Sequence, residues 1–216
     1  MSRQMDQLER GGAMKGLRVV VALFMVALLA GACAKAPQQA IDAAKAALEE
    51  AKAAEANRYA PQEFAAANDT LNAALAEVEK QNGKFALFRS YKKAARMLAQ
   101  AQTLANAAKD AAVANKEKVK NEATQLLQSA AEAVANVEKL LAKAPRGKEG
   151  REAIAAIKAD LDAVKANLDA ANTAFTNGDY LTARDKAQAS LSKANSLAEE
   201  LQAAISKKAA LTRRAQ

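Results

Sequence analysis

Between Gly83 and Pro145 the chain runs without a glycine or a proline, and alanine recurs along it at spacings of three and four. A stretch of this kind has one regular conformation open to it. Alanine has the highest helix propensity and loses no side-chain entropy on folding, while β-branched and aromatic residues are too sparse here to cover a sheet. Alanine is roughly a quarter of the whole chain, far above ordinary usage. The predicted fold is all-α: an elongated antiparallel helical bundle or coiled coil, with two three-helix bundles sharing one long central helix.

The central helix is predicted over residues 85–143. Its first seam reads Leu87, Tyr91, Ala94, Leu98, Ala101, Ala105, Ala108 and Ala112, and its second Val119, Ala123, Leu126, Ala130, Ala133, Val137 and Leu140. Between them, at Asn115 and Lys116, two steps of four fall together, which unwinds a heptad locally and marks the joint between the bundles. A first helix is predicted over 37–57 from Ile41, Ala44, Leu48 and Ala51, broken at Tyr59-Ala60-Pro61. A second runs from Pro61 to about residue 80 on Phe64, Ala67, Leu71, Ala74 and Val78. Asn82-Gly83 stops it, glycine suiting the left-handed position after a helix. The fourth helix carries Ile154, Ile157, Leu161, Val164, Leu168, Ala171 and Phe175. The fifth carries Tyr180, Ala183, Ala187, Leu191, Ala194, Ala198, Leu201 and Ile205, with Asp179 as its N-cap. The first bundle thus spans 37–115, the second 116–208, and 209–216 form a basic flexible tail. Alanine seams let helices approach closely but bury little area per residue, so the core should be thin.

Upstream lies the single cysteine, Cys33, at the end of an uncharged apolar run that begins at Val19 and follows Lys15 and Arg18. The run is shorter than the roughly 20 residues of a spanning helix, and it closes on Ala30-Gly31-Ala32. Positive, apolar and small residues in this order make a secretory signal peptide over 1–32. Met14 is the tighter start, because Asp6 and Glu9 are foreign to a positive leader. The segment Leu29-Ala30-Gly31-Ala32-Cys33 resembles the lipobox of bacterial lipoproteins, with Ala30 where that family prefers Leu. The resemblance implies cleavage before Cys33, diacylation of its thiol, and a lipidated linker over 33–36. Ala34 stands where Asp would signal inner-membrane retention, so the implied location is the outer membrane, facing the periplasm.

The turns Asn82-Gly83-Lys84-Phe85 and Asn177-Gly178-Asp179-Tyr180 are alike, and each follows an alanine-rich helix. Together with Tyr59-Ala60-Pro61 they resemble an uncharacterised alanine-rich helical lipoprotein family with a domain of unknown function. Its members join an alanine-rich helix, a Tyr-Ala-Pro-like break, a second helix and a Gly-Asp-Tyr-x-x-Ala turn into a third. The resemblance covers residues 37–112 best, with a partial echo over 178–194, and Lys84-Phe85 departs from Asp-Tyr in the first copy. It implies no activity. Tetratricopeptide repeats also carry Gly-Asp-Tyr-x-x-Ala, but no period of about 34 residues recurs.

The formal charge is +8; removing four basic residues (Arg3, Arg10, Lys15, Arg18) and two acidic ones (Asp6, Glu9) with 1–32 leaves +6. That excess suits anionic headgroups or cell-wall carboxylates, and nucleic acid is not an expected partner of an exported chain. Histidine is absent and no second cysteine exists, so the usual nucleophile–base pairs and any intramolecular disulfide are missing. No phosphate loop or metal-ligand spacing stands out. We therefore expect no enzyme, cofactor, metal or small-molecule substrate. The carboxylate pairs Glu49/Glu50 and Asp160/Asp162 read as solvated faces matched by lysines, and Phe88, Tyr91 and Phe175 as core.

Two basic clusters remain. A chain anchored at Cys33 leaves the membrane along its first helix and returns along its second, which puts the Asn82-Gly83 turn near the bilayer. Lys84, Phe85, Phe88, Arg89, Lys92 and Lys93, with Arg96 nearby, form a candidate membrane-proximal patch; the plain alternative pairs them with Glu77 and Glu79. The central and fifth helices both point away. Lys143, Arg146, Lys148 and Arg151 with Lys207, Lys208, Arg213 and Arg214 form a candidate distal anion-binding end, suited to peptidoglycan carboxylates; the plain alternative is a solvated loop and tail. The expected function is a non-enzymatic outer-membrane lipoprotein with a structural or interaction role in the envelope. The alternative is an adaptor that docks a protein partner of an envelope transport or assembly complex.

Overall fold

The computed structural model describes residues 35–144 and 151–214. The expected signal peptide, Cys33, Arg146 and Lys148 lie outside them. The described residues form α1 (Gln38–Ala53), α2 (Ala56–Tyr59), α3 (Pro61–Asn82), a 3₁₀ turn (Ala86–Phe88), α4 (Lys92–Lys143), α5 (Arg151–Thr176) and α6 (Tyr180–Arg214), with no strand among them. The fold is all-α, as the alanine pattern requires. No described helix is long and apolar enough to cross a membrane. The chain divides into two compact units, one ending at Ala112 and the other starting at Val113; the seam shift had pointed to 115/116. α4 continues unbroken through this division, and Lys116 is half-buried where the two steps of four meet.

In the first unit, α1 buries Ile41, Ala44, Ala47 and Ala51, and α3 buries Ala67, Leu71, Ala74 and Val78. Both pack on the first half of α4, which buries Tyr91, Ala94, Leu98, Ala101, Ala105, Ala108 and Ala112. α1 and α4 run parallel. Lys109 Nζ donates to Glu50 Oε2 at 2.8 Å across fifty-nine positions of sequence, and Ala47 meets Ala105 in one cluster at nearly the same offset. That register sets Lys35 level with the first turn of α4.

Three expectations about helix ends fail in this unit, each for a local reason. α1 stops at Ala53, four residues short, because Glu55 adopts φ 60° and the chain restarts as the single turn α2. Gly83 caps α3 at φ −70°, in the right-handed region, so it is not the left-handed glycine that its place suggested. The central helix starts at Lys92 rather than 85, because Phe85 and Arg89 are both extended on either side of the 3₁₀ turn. Leu87 therefore leaves the predicted seam and is exposed.

The second unit is built from the rest of α4 with α5 and α6. Its core gathers Val134, Val137, Leu161, Val164, Leu168, Leu197 and Leu201. Along α4, Val119, Ala123, Ala130 and Val137 are buried as predicted, with Val134 taking the place of the half-buried Ala133. On α6, the spacing missed Leu197 and Ser190, which are 0% and 1% exposed. Ser190 is matched: its Oγ accepts from Asn167 Nδ2 at 2.9 Å, and the same amide donates to the Lys186 carbonyl at 3.1 Å. The residues from 209, expected as a flexible tail, continue α6 to Arg214.

The α5–α6 turn carries the left-handed glycine. Gly178 has φ 79°. The Asp179 N–H reaches the Ala174 carbonyl at 2.9 Å and the Gly178 N–H reaches Phe175 at 3.0 Å, the paired bonds of a Schellman close. Asp179 Oδ1 then accepts from the Thr182 N–H at 3.4 Å, the predicted N-cap. Phe175 packs against Tyr180 with ring centroids 5.2 Å apart. The two glycines should therefore respond differently to alanine. Gly178→Ala puts a Cβ in the left-handed region and should cost about 1–2 kcal/mol. Gly83→Ala meets only ordinary contacts at 3.8 Å and should be neutral or gain up to about 1 kcal/mol. Thermal denaturation separates them: a fall in Tm for the first alone is expected, and equal shifts would contradict the assignment.

Candidate functional site

The loop between α3 and α4 carries three of the large apolar side chains exposed by the described residues: Phe85 at 70%, Leu87 at 60% and Phe88 at 75%. Phe88 was expected in the core because 85, 88 and 91 share helical spacing. The chain is not α-helical there, so Tyr91 turns inward, buried, while Phe88 turns out. The Phe85 and Phe88 rings lie 6.4 Å apart, against each other rather than against the bundle.

The loop is firmly built. Arg89 Nε donates to the Lys84 carbonyl at 2.9 Å and an Arg89 terminal nitrogen donates to the Asn82 carbonyl at 3.0 Å. The Tyr91 hydroxyl donates to Asn82 Oδ1. The Ser90 N–H donates to Gln81 Oε1 at 3.2 Å, and Gln81 Nε2 in turn donates to Glu77 at 2.7 Å. That amide, with Lys93 beyond it, holds the Glu77 carboxyl below its ordinary range. Of the predicted patch, Lys84, Phe85, Phe88 and Lys92 are exposed and Arg89 is half-buried under the loop it ties. Lys93 reaches Glu77 at 3.5 Å, as the plain alternative proposed, yet stays 64% exposed. No acidic residue occurs between Glu79 and Asp110.

This loop shares its end of the first unit with the point where the chain enters. Ala36, Ala40 and Ile41 pack in the same cluster as Val78, Tyr91 and Ala94. α1 therefore starts beside the loop, and Lys35 is exposed there.

The second cluster is only partly within the described residues. Lys143, Arg151, Lys207, Lys208 and Arg213 are exposed; of Arg214 only the backbone, in α6, is described. Asp160 pairs with Lys193 at 2.7 Å, and Asn167 with Ser190. This antiparallel register sets the start of α5 beside the last third of α6. Arg151, Lys207 and Lys208 thus share one end of the second unit, where Ile154 and Leu201 belong to one core.

The carboxylate pairs behave as solvated partners of lysines. Glu50 binds Lys109 and Asp160 binds Lys193, and Glu138 binds Lys165 at 2.5 Å. The Lys109 ammonium holds Glu50 below the usual carboxylate range, and hydrogen bonds to their partners raise Lys109, Lys165 and Lys193. These pairs act in full across neutral pH. They fade as pH rises through the raised lysine values, and the Glu50 pair also fades as pH falls through its lowered value. A shallow groove on the second unit is lined by Glu122, Leu126, Arg184 and Gln188. Its charges answer one another: Arg184 binds Asp185 at 2.7 Å and faces Glu122 at 4.0 Å. Among the described residues, no group of three or more His, Cys, Asp or Glu side chains is placed to hold a metal ion.

No protein-family model, curated protein or solved structure matches the chain.

Proposed function

We propose that this chain is a non-enzymatic lipoprotein of the bacterial outer membrane, held by lipid on Cys33, whose periplasmic helices serve as a structural and interaction element of the envelope. The observation that carries this reading is how directly the chain passes from the lipobox-like stretch into the bundle. Ala36 already packs on the first core, and α1 begins at Gln38. A lipid on Cys33 would hold that end of the unit within a few residues of the bilayer.

The exposed cations Arg151, Lys207, Lys208 and Arg213 match the carboxylates of peptidoglycan stem peptides, which supports a wall contact through the second unit. An adaptor role is favoured by one feature. Residues 206–213 of α6 are exposed on every side, including Leu211, so this helical segment is open to a protein partner.

Cys33→Ser tests the anchor. The variant should accumulate as unprocessed precursor and take up no labelled fatty acid. Normal maturation of the variant would refute the lipoprotein reading.

A further inference from the structure

Isolated apolar side chains on a surface need no explanation, but clustered ones do. Phe85, Leu87 and Phe88 fall within four residues, on a loop that other side chains brace from behind. Loop tips ordinarily carry Gly, Pro, Asn or Asp; this one reads Lys-Phe-Ala-Leu-Phe-Arg. Part of its polar backbone is engaged. The Phe88 N–H donates to the Phe85 carbonyl at 2.9 Å and Arg89 N–H to Ala86 at 3.4 Å, while the Arg89 guanidinium covers the carbonyls of Asn82 and Lys84. Each group satisfied in this way lowers the cost of taking the loop out of bulk water, and an interfacial depth leaves the remaining N–H groups within reach of water and headgroup oxygens.

We propose that the α3–α4 loop is a membrane-interfacial wedge: Phe85, Leu87 and Phe88 enter the boundary between headgroups and acyl chains, while Lys84 and Lys92 rest on anionic headgroups. The proposal rests on the lipid-anchor reading, which supplies the bilayer. Charge selects the occupant. The cations Lys80, Lys84, Arg89, Lys92, Lys93 and Arg96 flank the loop in sequence and outnumber the nearby carboxylates Glu77 and Glu79, and no carboxylate follows between Glu79 and Asp110. Glu77 is occupied by Gln81 and Lys93, and Asp42 of α1 by Gln38. Position agrees, since Lys35 stands at the same end of the unit. Aromatic and aliphatic side chains over a basic collar form the composition that binds acidic interfaces. A single acyl chain anchors only marginally and a second signal makes attachment stable; here the wedge would instead fix the unit's orientation on an anchor already strong.

The chain contains no tryptophan, so Phe88→Trp gives one clean reporter at a position exposed enough to accept it. The lipidated protein is reconstituted into phosphatidylcholine vesicles with and without phosphatidylglycerol, using acyl chains brominated near the headgroup. The indole at position 88 should emit to the blue and be quenched by shallow bromines in anionic vesicles. Adding Lys84→Gln and Lys92→Gln should lower the ratio of docked to free loop about fivefold for each lysine. Full access to aqueous acrylamide without bromine quenching, in protein that still floats with the vesicles, overturns the wedge and leaves the loop to a protein partner. Flotation itself reports the anchor, so failure of the wedge and failure of the anchor are read separately.

Discussion

Leu197→Ala should destabilise the second unit by about 3–5 kcal/mol, the largest effect expected of any single truncation in that unit. Leu197 is fully buried between α5 and the second half of α4, beside Leu201 and Val137. The reason for a value at the upper end is the company it keeps. Ala130, Ala194 and Ala198 belong to the same core, and an alanine cannot reach across to fill a vacated volume. Cost rises with the cavity that remains after relaxation. At about 4–8 °C per kcal/mol for a unit near 100 residues, Tm should fall by well over 10 °C. Loss of helical circular dichroism on heating reads this directly, and a shift within 3 °C (about 0.5 kcal/mol on that scale) would contradict the close packing described.

The opposite substitution probes the alanine seam. Ala94→Leu should cost about 1–3 kcal/mol, because the side chain is wholly buried where Ile41, Val78 and Leu98 meet around α4. Ala99→Leu, five residues on and exposed, supplies the control. It adds the same methylenes to the same helix without a neighbour to displace. The pair separates packing from propensity, since leucine and alanine both favour helix. If both variants unfold together with the parent, the helices of the first unit are not held at alanine distance.

Much of this core is legible from spacing alone. Ile41, Ala44 and Ala51 on α1, Leu71, Ala74 and Val78 on α3, and the run from Tyr91 to Ala112 on α4 all fall where steps of three and four put them. Asp179 is legible as a cap because a short carboxylate following glycine has one obvious job at a helix start. What spacing could not reveal is where side chains outbid the helix for the backbone. Residues 85–91 have helical periodicity and no breaker, yet the Arg89 guanidinium takes the carbonyls of Asn82 and Lys84, and Gln81 takes the Ser90 N–H. The loop that results moves Phe88 from core to surface. Glu55 shows the same limit in backbone form, since nothing in its chemistry announces a left-handed residue. Ser190 escaped notice because a serine reads as surface until its partner, Asn167 on the neighbouring helix, is seen.

The basic end of the second unit was legible as charge but not as a site. Arg151, Lys207 and Lys208 are gathered at one end by helix register, which composition does not encode. The proximal patch is sharper in structure than in sequence, because Leu87 joins the two phenylalanines and Arg89 proves to be a brace with its guanidinium turned to the backbone.

The proposed function depends on Cys33 as the first residue of the mature protein. The direct measurement is the mass of the amino-terminal peptide of protein isolated from its own membranes. The expected peptide begins at Cys33 and carries diacylglycerol on the sulfur with a further acyl group on the amine. An unmodified cysteine inside an intact peptide that retains Ala30-Gly31-Ala32 would contradict it.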